Sequence, residues 1–266
     1  MDSNELVFVK LGGSLITDKR RQATPHIHVL DELAGELRAA RESRPELRIL
    51  LGHGSGSFGH WEASRYQTQK GVQSPVQWQG FAEVAAAAAQ LNRIVVERFV
   101  KAGNPVLSLQ PSASAVAEAG RIVSLDSANI QRALAHGLVP LIYGDVAFDR
   151  QQGGTILSTE TLFFHLAQTL QPSRILLLGN APGVLDNDGN VIERITPGTY
   201  AEAKVFLRGS GYTDVTGGMA DKVEQMITLV QRLPTLKIQI LTGQRRGNLL
   251  HSLLEDEYPA CTSIEA

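Results

Sequence analysis

Short apolar runs alternate with longer stretches of helical periodicity along most of the chain. Residues 6–9, 48–51, 106–109, 138–143, 173–178 and 237–241 are brief and mostly apolar, as strands buried on both faces are. Between them, residues 28–41, 77–101, 126–136, 199–207 and 218–232 repeat apolar positions every three or four residues. Gly103 and Pro105 end the long second helix, while Asp126 caps the third and Gly137 stops it. Such alternation predicts an α/β fold, a mainly parallel sheet with helices on both faces. Residues 146–157, with Gln-Gly-Gly at the turn, and 184–192, with Asn-Asp-Gly-Asn, read as hairpins attached to that sheet. No internal repeat or long linker interrupts the pattern, so one fold with two functional halves is expected.

Composition narrows the function classes. The 266 residues are 43% hydrophobic and 20% charged, with a net charge of −2, which gives no field to gather nucleic acid or an anionic membrane surface. A lone Cys261 leaves no intrachain disulfide and no cysteine-based zinc cluster. The start, Met-Asp-Ser-Asn-Glu, lacks the basic and apolar regions of a signal peptide, and no apolar run approaches the ~20 residues of a membrane span. A cytoplasmic protein is expected.

Two glycine turns carry the chemistry. Lys10-Leu-Gly12-Gly13-Ser14 leaves the first strand, and Gly54-Ser55-Gly56-Ser-Phe-Gly59-His60 leaves the second. Glycine lets the backbone approach an anion closely, so successive N–H groups can cradle phosphate oxygens. Lys10 and Lys19 are placed to neutralise a transferring phosphoryl group. A Walker A pattern is absent, and the formal Gly-x-Gly-x-x-Gly match lacks the acidic residue a dinucleotide site expects about 20 positions later. Plain turn chemistry is the bland reading of either loop alone. His60 has the bland reading of a surface histidine, but beside an anion cradle it can donate to an acceptor phosphate. Farther on, Thr216-Gly217-Gly218-Met-x-x-Lys222 opens a helix with glycines and a lysine, a good anion site or a simple capped helix. Gly144 and Asp145 end a buried strand, where ligands of open sheets collect, and Glu160 belongs at a helix start.

In this order the motifs resemble the amino acid kinase family, and within it the isopentenyl phosphate kinases. The likeness runs through Lys10-Leu-Gly-Gly-Ser-Leu-Ile-Thr-Asp-Lys19, His53-Gly-Ser-Gly-Ser-Phe-Gly-His60, Ser108-Leu-Gln-Pro-Ser112, Tyr143-Gly-Asp-Val146 and Asp214-Val-Thr-Gly-Gly-Met-Ala-Asp-Lys222. It implies one amino acid kinase-like domain over 1–266, a three-layer αβα sandwich, usually a homodimer. The acceptor would bind in the half up to about residue 170 and MgATP in the half from about residue 171. Lys10, Gly12, Gly13, Ser14, Lys19, Gly179, Gly183, Gly217, Gly218 and Lys222 would meet ATP. Gly54, Ser55, Gly56, Gly59, His60, Phe81, Ala85, Gly144 and Asp145 would meet the acceptor. Lys10, Lys19 and His60 would serve catalysis, and no protein metal ligand is implied. Two departures stand out: Ser158-Thr159-Glu160 replaces the family's Ser-Gly-Asp, and Leu178-Gly-Asn-Ala-Pro-Gly-Val184 replaces Thr-Asp-Val-Asp-Gly-Val. Glu160 is a supporting residue whose longer carboxylate could organise the lysines or a metal, with a plain helix-start role as the alternative; whether it takes the aspartate's place stays open.

The small side chains of 80–89 suggest an apolar slot behind the phosphate, with close helix packing as the plain alternative. At about 0.8 kcal/mol per buried methylene, a five-carbon tail would gain up to ~4 kcal/mol there. A prenyl monophosphate is the favoured acceptor. A fosfomycin-type phosphonate kinase and a non-catalytic nucleotide- or oxyanion-binding protein are the alternatives.

Overall fold

The computed structural model describes residues 5–207, 219–255 and 261–266. In its first half, β1 (Leu6–Leu11) leads through a single helical turn, α1 (Gly13–Ile16), to α2 (Ile27–Ser43) and β2 (Arg48–His53). Two helices, α3 (Gly56–Tyr66) and α4 (Pro75–Lys101), precede the short strands β3 (Val106–Ser108), β4 (Val116–Glu118) and β5 (Arg121–Ser124). There follow α5 (Ala128–Ala135), β6 (Val139–Tyr143), β7 (Asp145–Asp149), β8 (Gly153–Leu157) and α6 (Thr159–Leu170). The second half runs β9 (Arg174–Gly179), β10 (Arg194–Ile195), α7 (Tyr200–Leu207), α8 (Met219–Arg232), β11 (Lys237–Thr242), α9 (Asn248–Leu254) and β12 (Thr262–Ile264).

Eight strands form one sheet in the order β10-β12-β11-β9-β1-β2-β6-β3, parallel except where β12 runs against β11. Alternate residues of β1 feed two cores. Leu6 and Phe8 join α5, α6 and α8 on one face, while Val7, Val9 and Leu11 join α2, α4 and α9 on the other. Three layers result, as the periodicity predicts. The long helix α4 starts cleanly because Ser74 and Gln77 form a reciprocal capping box and Pro75 opens the first turn, worth about 1 kcal/mol.

Three sequence expectations need correction. The hairpin β7–β8 is not attached to the main sheet; it pairs with β4, which in turn pairs with β5, in a separate four-stranded sheet ordered β5-β4-β7-β8. The second expected hairpin shrinks to an isolated bridge between Leu185 and Val191. Ser127, not Asp126, holds the N-cap position of α5, although the Asp126 carboxylate still accepts from Ala128 N at 2.8 Å. Among the described residues no helix is long and apolar enough to cross a membrane.

Candidate active site

β1 is the switch point of the sheet. The chain leaves it for β2 on one side and later lays β9 on the other. Ligands of open α/β sheets gather at the carboxyl ends of strands at such a point. Both glycine turns lie there, and they touch. A Cβ on Gly13 would sit 2.7 Å from Gly56 N and 2.8 Å from its Cα, so only glycine permits this approach. Gly56 adopts φ +52°, and a side chain there would also strike Thr17. Thr17 is the clasp between the turns: its hydroxyl donates to Gly13 O at 2.7 Å and accepts from Ser57 N at 2.9 Å.

Not every expected amide is available. Gly12 N–H donates to Leu178 O at 2.8 Å and Gly54 N–H to Leu11 O at 3.1 Å, so both serve the scaffold. Gly59 N–H turns back to Ser55 O at 3.2 Å within α3. The amides of Gly13, Ser14, Ser55 and Gly56 have no acceptor among the described residues, and they lie where the two turns meet.

Charge is concentrated beside that junction. Lys10, near the end of β1 and only 7% exposed, donates from Nζ to Glu160 Oε1. Lys222 Nζ, from α8, lies 3.5 Å from the same oxygen. Ser158 caps α6, its hydroxyl accepting from Thr161 N at 3.1 Å, which sets Glu160 in the first turn. Burial alone would raise the Glu160 carboxyl; the charges of Lys10 and Lys222 outweigh it and hold it at about 2. One buried carboxylate therefore spaces two lysines, leaving a net positive cluster for an incoming phosphate. Lys19 is exposed on the turn between Thr17 and Pro25, a turn tied to α3 by Gln22 Nε2 donating to Glu62 Oε1 at 2.8 Å.

His60 lies in α3, half-buried, and borders a cavity of about 20 Å³. Ser55, Gly59, Gly144 and Asp145 form the polar side of that cavity, while Ala63, Val84, Ala88 and Ile156 form its apolar end. A space this size holds about one water, so a tail would require the α4 side to yield. The expected Phe81 and Ala85 do not line it. Phe81 packs with Val72, Val84 and Val146 and against the rings of Trp78 and Phe148, and Ala85 borders the same cluster. The face of α4 turned to the cavity is the Val84–Ala88 pair, one turn apart. Asp145 accepts from Ser112 N at 3.1 Å and Val146 N at 2.8 Å, yet burial still raises its carboxyl. A roomier cavity of about 260 Å³ lies between the turn after β3 and α5, but none of the residues named for phosphate binding borders it.

On the other side of β1, Gly179 is open: an added Cβ would meet nothing within 4 Å. Asn180 beside it donates to Ser14 O at 3.2 Å, joining this edge to the first glycine turn. Gly183 has a packing role instead, since its Cβ would lie 2.6 Å from Thr262 Oγ1. Gly217 and Gly218 lie outside the described residues.

The model of the Amino acid kinase family matches residues 5–241. The chain belongs to the amino acid kinase family. Two relatives named isopentenyl phosphate kinase match over most of both lengths. That of Haloferax volcanii is 37% identical over 226 residues, 84% of this chain and 88% of the relative. That of Methanothermobacter thermautotrophicus is 31% identical over 266 residues, 95% of this chain and 96% of the relative. A crystal structure of an isopentenyl phosphate kinase has a TM-score of 0.82 at 27% identity, covering 98% of this chain and 100% of that one. Within the same family, the acetylglutamate kinase of Nautilia profundicola matches only 57% of this chain, at 28% identity.

Proposed function

We propose that this amino acid kinase transfers the γ-phosphoryl group of ATP to isopentenyl phosphate, giving isopentenyl diphosphate and ADP. The observation that carries the reading is the contact of Gly13 with Gly56, which sets two anion cradles side by side beside the Lys10–Glu160–Lys222 cluster. Likeness over nearly the whole chain to relatives named isopentenyl phosphate kinase supports the acceptor, against half-length likeness to acetylglutamate kinases.

In this scheme the amides of Gly13 and Ser14, with Lys10 and Lys222, take the β and γ phosphates. Lys19 reaches in from its exposed turn. Ser55, Gly56 and His60 hold the acceptor phosphate, Asp145 and Gly144 border it, and Val84 and Ala88 face the tail. An acceptor oxygen bonds to the γ phosphorus while the bond from γ phosphorus to the bridging oxygen of ADP breaks, in line. A phosphate with a second pKa near 6 is already largely deprotonated at neutral pH, so orientation and charge stabilisation suffice without a general base. Among the described residues no three His, Cys, Asp or Glu side chains are grouped to hold a metal, and Glu160 is committed to lysines. Magnesium would arrive on the nucleotide and would supply charge neutralisation to its phosphates, beside Lys10 and Lys222. The acceptor would occupy the half up to about residue 170 and ATP the half from about residue 171, with β1 between them. By likeness to the family the working unit is a cytoplasmic homodimer, which sedimentation and cell fractionation test.

Coupled ADP release with isopentenyl, dimethylallyl and geranyl monophosphates, fosfomycin and N-acetylglutamate tests the reading. Isopentenyl phosphate should give the highest kcat/KM. Preference for fosfomycin or N-acetylglutamate would overturn the acceptor, and ATP binding without ADP release would leave a nucleotide-binding protein.

A further inference from the structure

Behind the acceptor turn lies a histidine that the transfer scheme does not use. His53, the last residue of β2, is fully buried, its ring flat on Tyr143 with centroids 5.5 Å apart and 8° between planes. Its Nδ1 lies 3.0 Å from Gly54 O, and its Nε2 3.2 Å from Asn92 Oδ1 on α4. As placed, Asn92 Nδ2 donates to Ser108 Oγ at 2.7 Å. The carbonyl of His53 accepts from Thr159 Oγ1 at 2.6 Å and from Gly144 N at 3.0 Å. One residue thus joins the acceptor turn, the Tyr143–Asp145 strand end and the start of the helix carrying Glu160.

We propose that His53 is a positioning residue: a neutral imidazole, protonated at Nδ1, that pins the Gly54 carbonyl and thereby aims the Ser55 amide at the acceptor phosphate. The proposal rests on the function read above. Gly54 O and Ser55 N–H belong to one planar trans peptide and point in opposite directions. Holding the oxygen inward on His53 turns the N–H outward, to the side where Ser55 and His60 border the same cavity.

The tautomer follows from donor and acceptor arithmetic. A backbone carbonyl only accepts, so the ring nitrogen facing Gly54 must carry a proton. Nε2 then needs a donor. With the Asn92 amide turned end for end from its placement, a turn its near-symmetric shape allows, its NH₂ end supplies that donor, its oxygen accepts from the Ser108 hydroxyl, and every group in the chain is satisfied. A proton on Nε2 alone would set two acceptors against each other at Gly54. An imidazolium would suit both neighbours, but burial drives this ring toward the neutral form.

Two substitutions separate the contacts, because an asparagine amide nitrogen mimics Nδ1 and a glutamine amide nitrogen mimics Nε2. His53→Gln should raise the KM for isopentenyl phosphate about tenfold while kcat and the KM for ATP stay within about twofold, the loss of one orienting hydrogen bond. His53→Asn, which keeps the bond to Gly54, should stay within about threefold of wild type. ¹⁵N spectra of the wild-type ring should show the proton on Nδ1 and no titration between about pH 5 and 8. An unchanged acceptor KM in His53→Gln, or a ring protonated at Nε2, overturns the proposal. If His53→Gln does not fold, the tautomer decides alone. A wild-type protein inactive on prenyl monophosphates would refute the function and leave the tautomer to be judged separately.

Discussion

Replacing Glu160 with glutamine removes the anion shared by Lys10 and Lys222 and leaves Lys10 buried. The carboxyl is held at about 2 against an ordinary 4.5. At 1.36 kcal/mol per unit, that displacement corresponds to about 3 kcal/mol of folding stability at neutral pH. Breaking a buried ion pair by removing one partner costs about 3–5 kcal/mol, an independent figure of the same size. The sign is set by the direction: a lowered carboxyl contributes fully above its unfolded pKa, and the contribution is lost as pH falls through the folded one. Urea denaturation of wild type and Glu160→Gln should therefore differ by about 3 kcal/mol at pH 7, the gap closing from roughly pH 4.5 down to pH 2. Turnover should also fall, by about 10²–10³, because the lysines lose their spacing. A gap under about 1 kcal/mol at pH 7, or one that persists undiminished to about pH 2, would refute the electrostatic reasoning.

Other substitutions probe the remaining parts of the site. His60→Ala should cut turnover with isopentenyl phosphate by about 10²–10³ while ATP binding, measured calorimetrically, is spared; wild-type turnover would remove His60 from the scheme. Thr17→Val leaves Ser57 N–H and Gly13 O without their shared partner, so thermal unfolding should show a loss of about 1–3 kcal/mol. Gly179→Ala enters open space and should leave stability within about 0.5 kcal/mol while raising the KM for ATP; an unchanged KM would move the nucleotide elsewhere. Gly183→Ala meets Thr262 and should do the reverse, costing about 1–3 kcal/mol with no direct effect on ATP.

Much of the framework is legible in the sequence because it is local. The strands β1, β2, β6, β9 and β11 are apolar runs buried on both faces, and α2 and α4 carry long helical periods. Helix α3 escapes notice because its first turn is Gly56-Ser-Phe-Gly59, poor helix-forming residues held in place by Thr17 from another turn. Strands β4 and β5 are too short to show a period, and the pairing of β4 with β7 is long-range. The site divides in the same way. Lys10, Gly13 and Glu160 stand in recognisable motifs, whereas Thr17 and the His53–Asn92–Ser108 chain gain meaning only from partners 40, 39 and 16 residues away. The shift from Phe81 and Ala85 to Val84 and Ala88 is a matter of helix rotation, which a run of alanines hides.

In the proposed transfer, the meeting of Gly13 with Gly56, main chain against main chain, would make the separation of donor and recipient anions a matter of peptide dimensions. No rotamer can lengthen or shorten it. Divergence along α4 could therefore alter which hydrocarbon is accommodated while the distance the phosphoryl group travels stays constant.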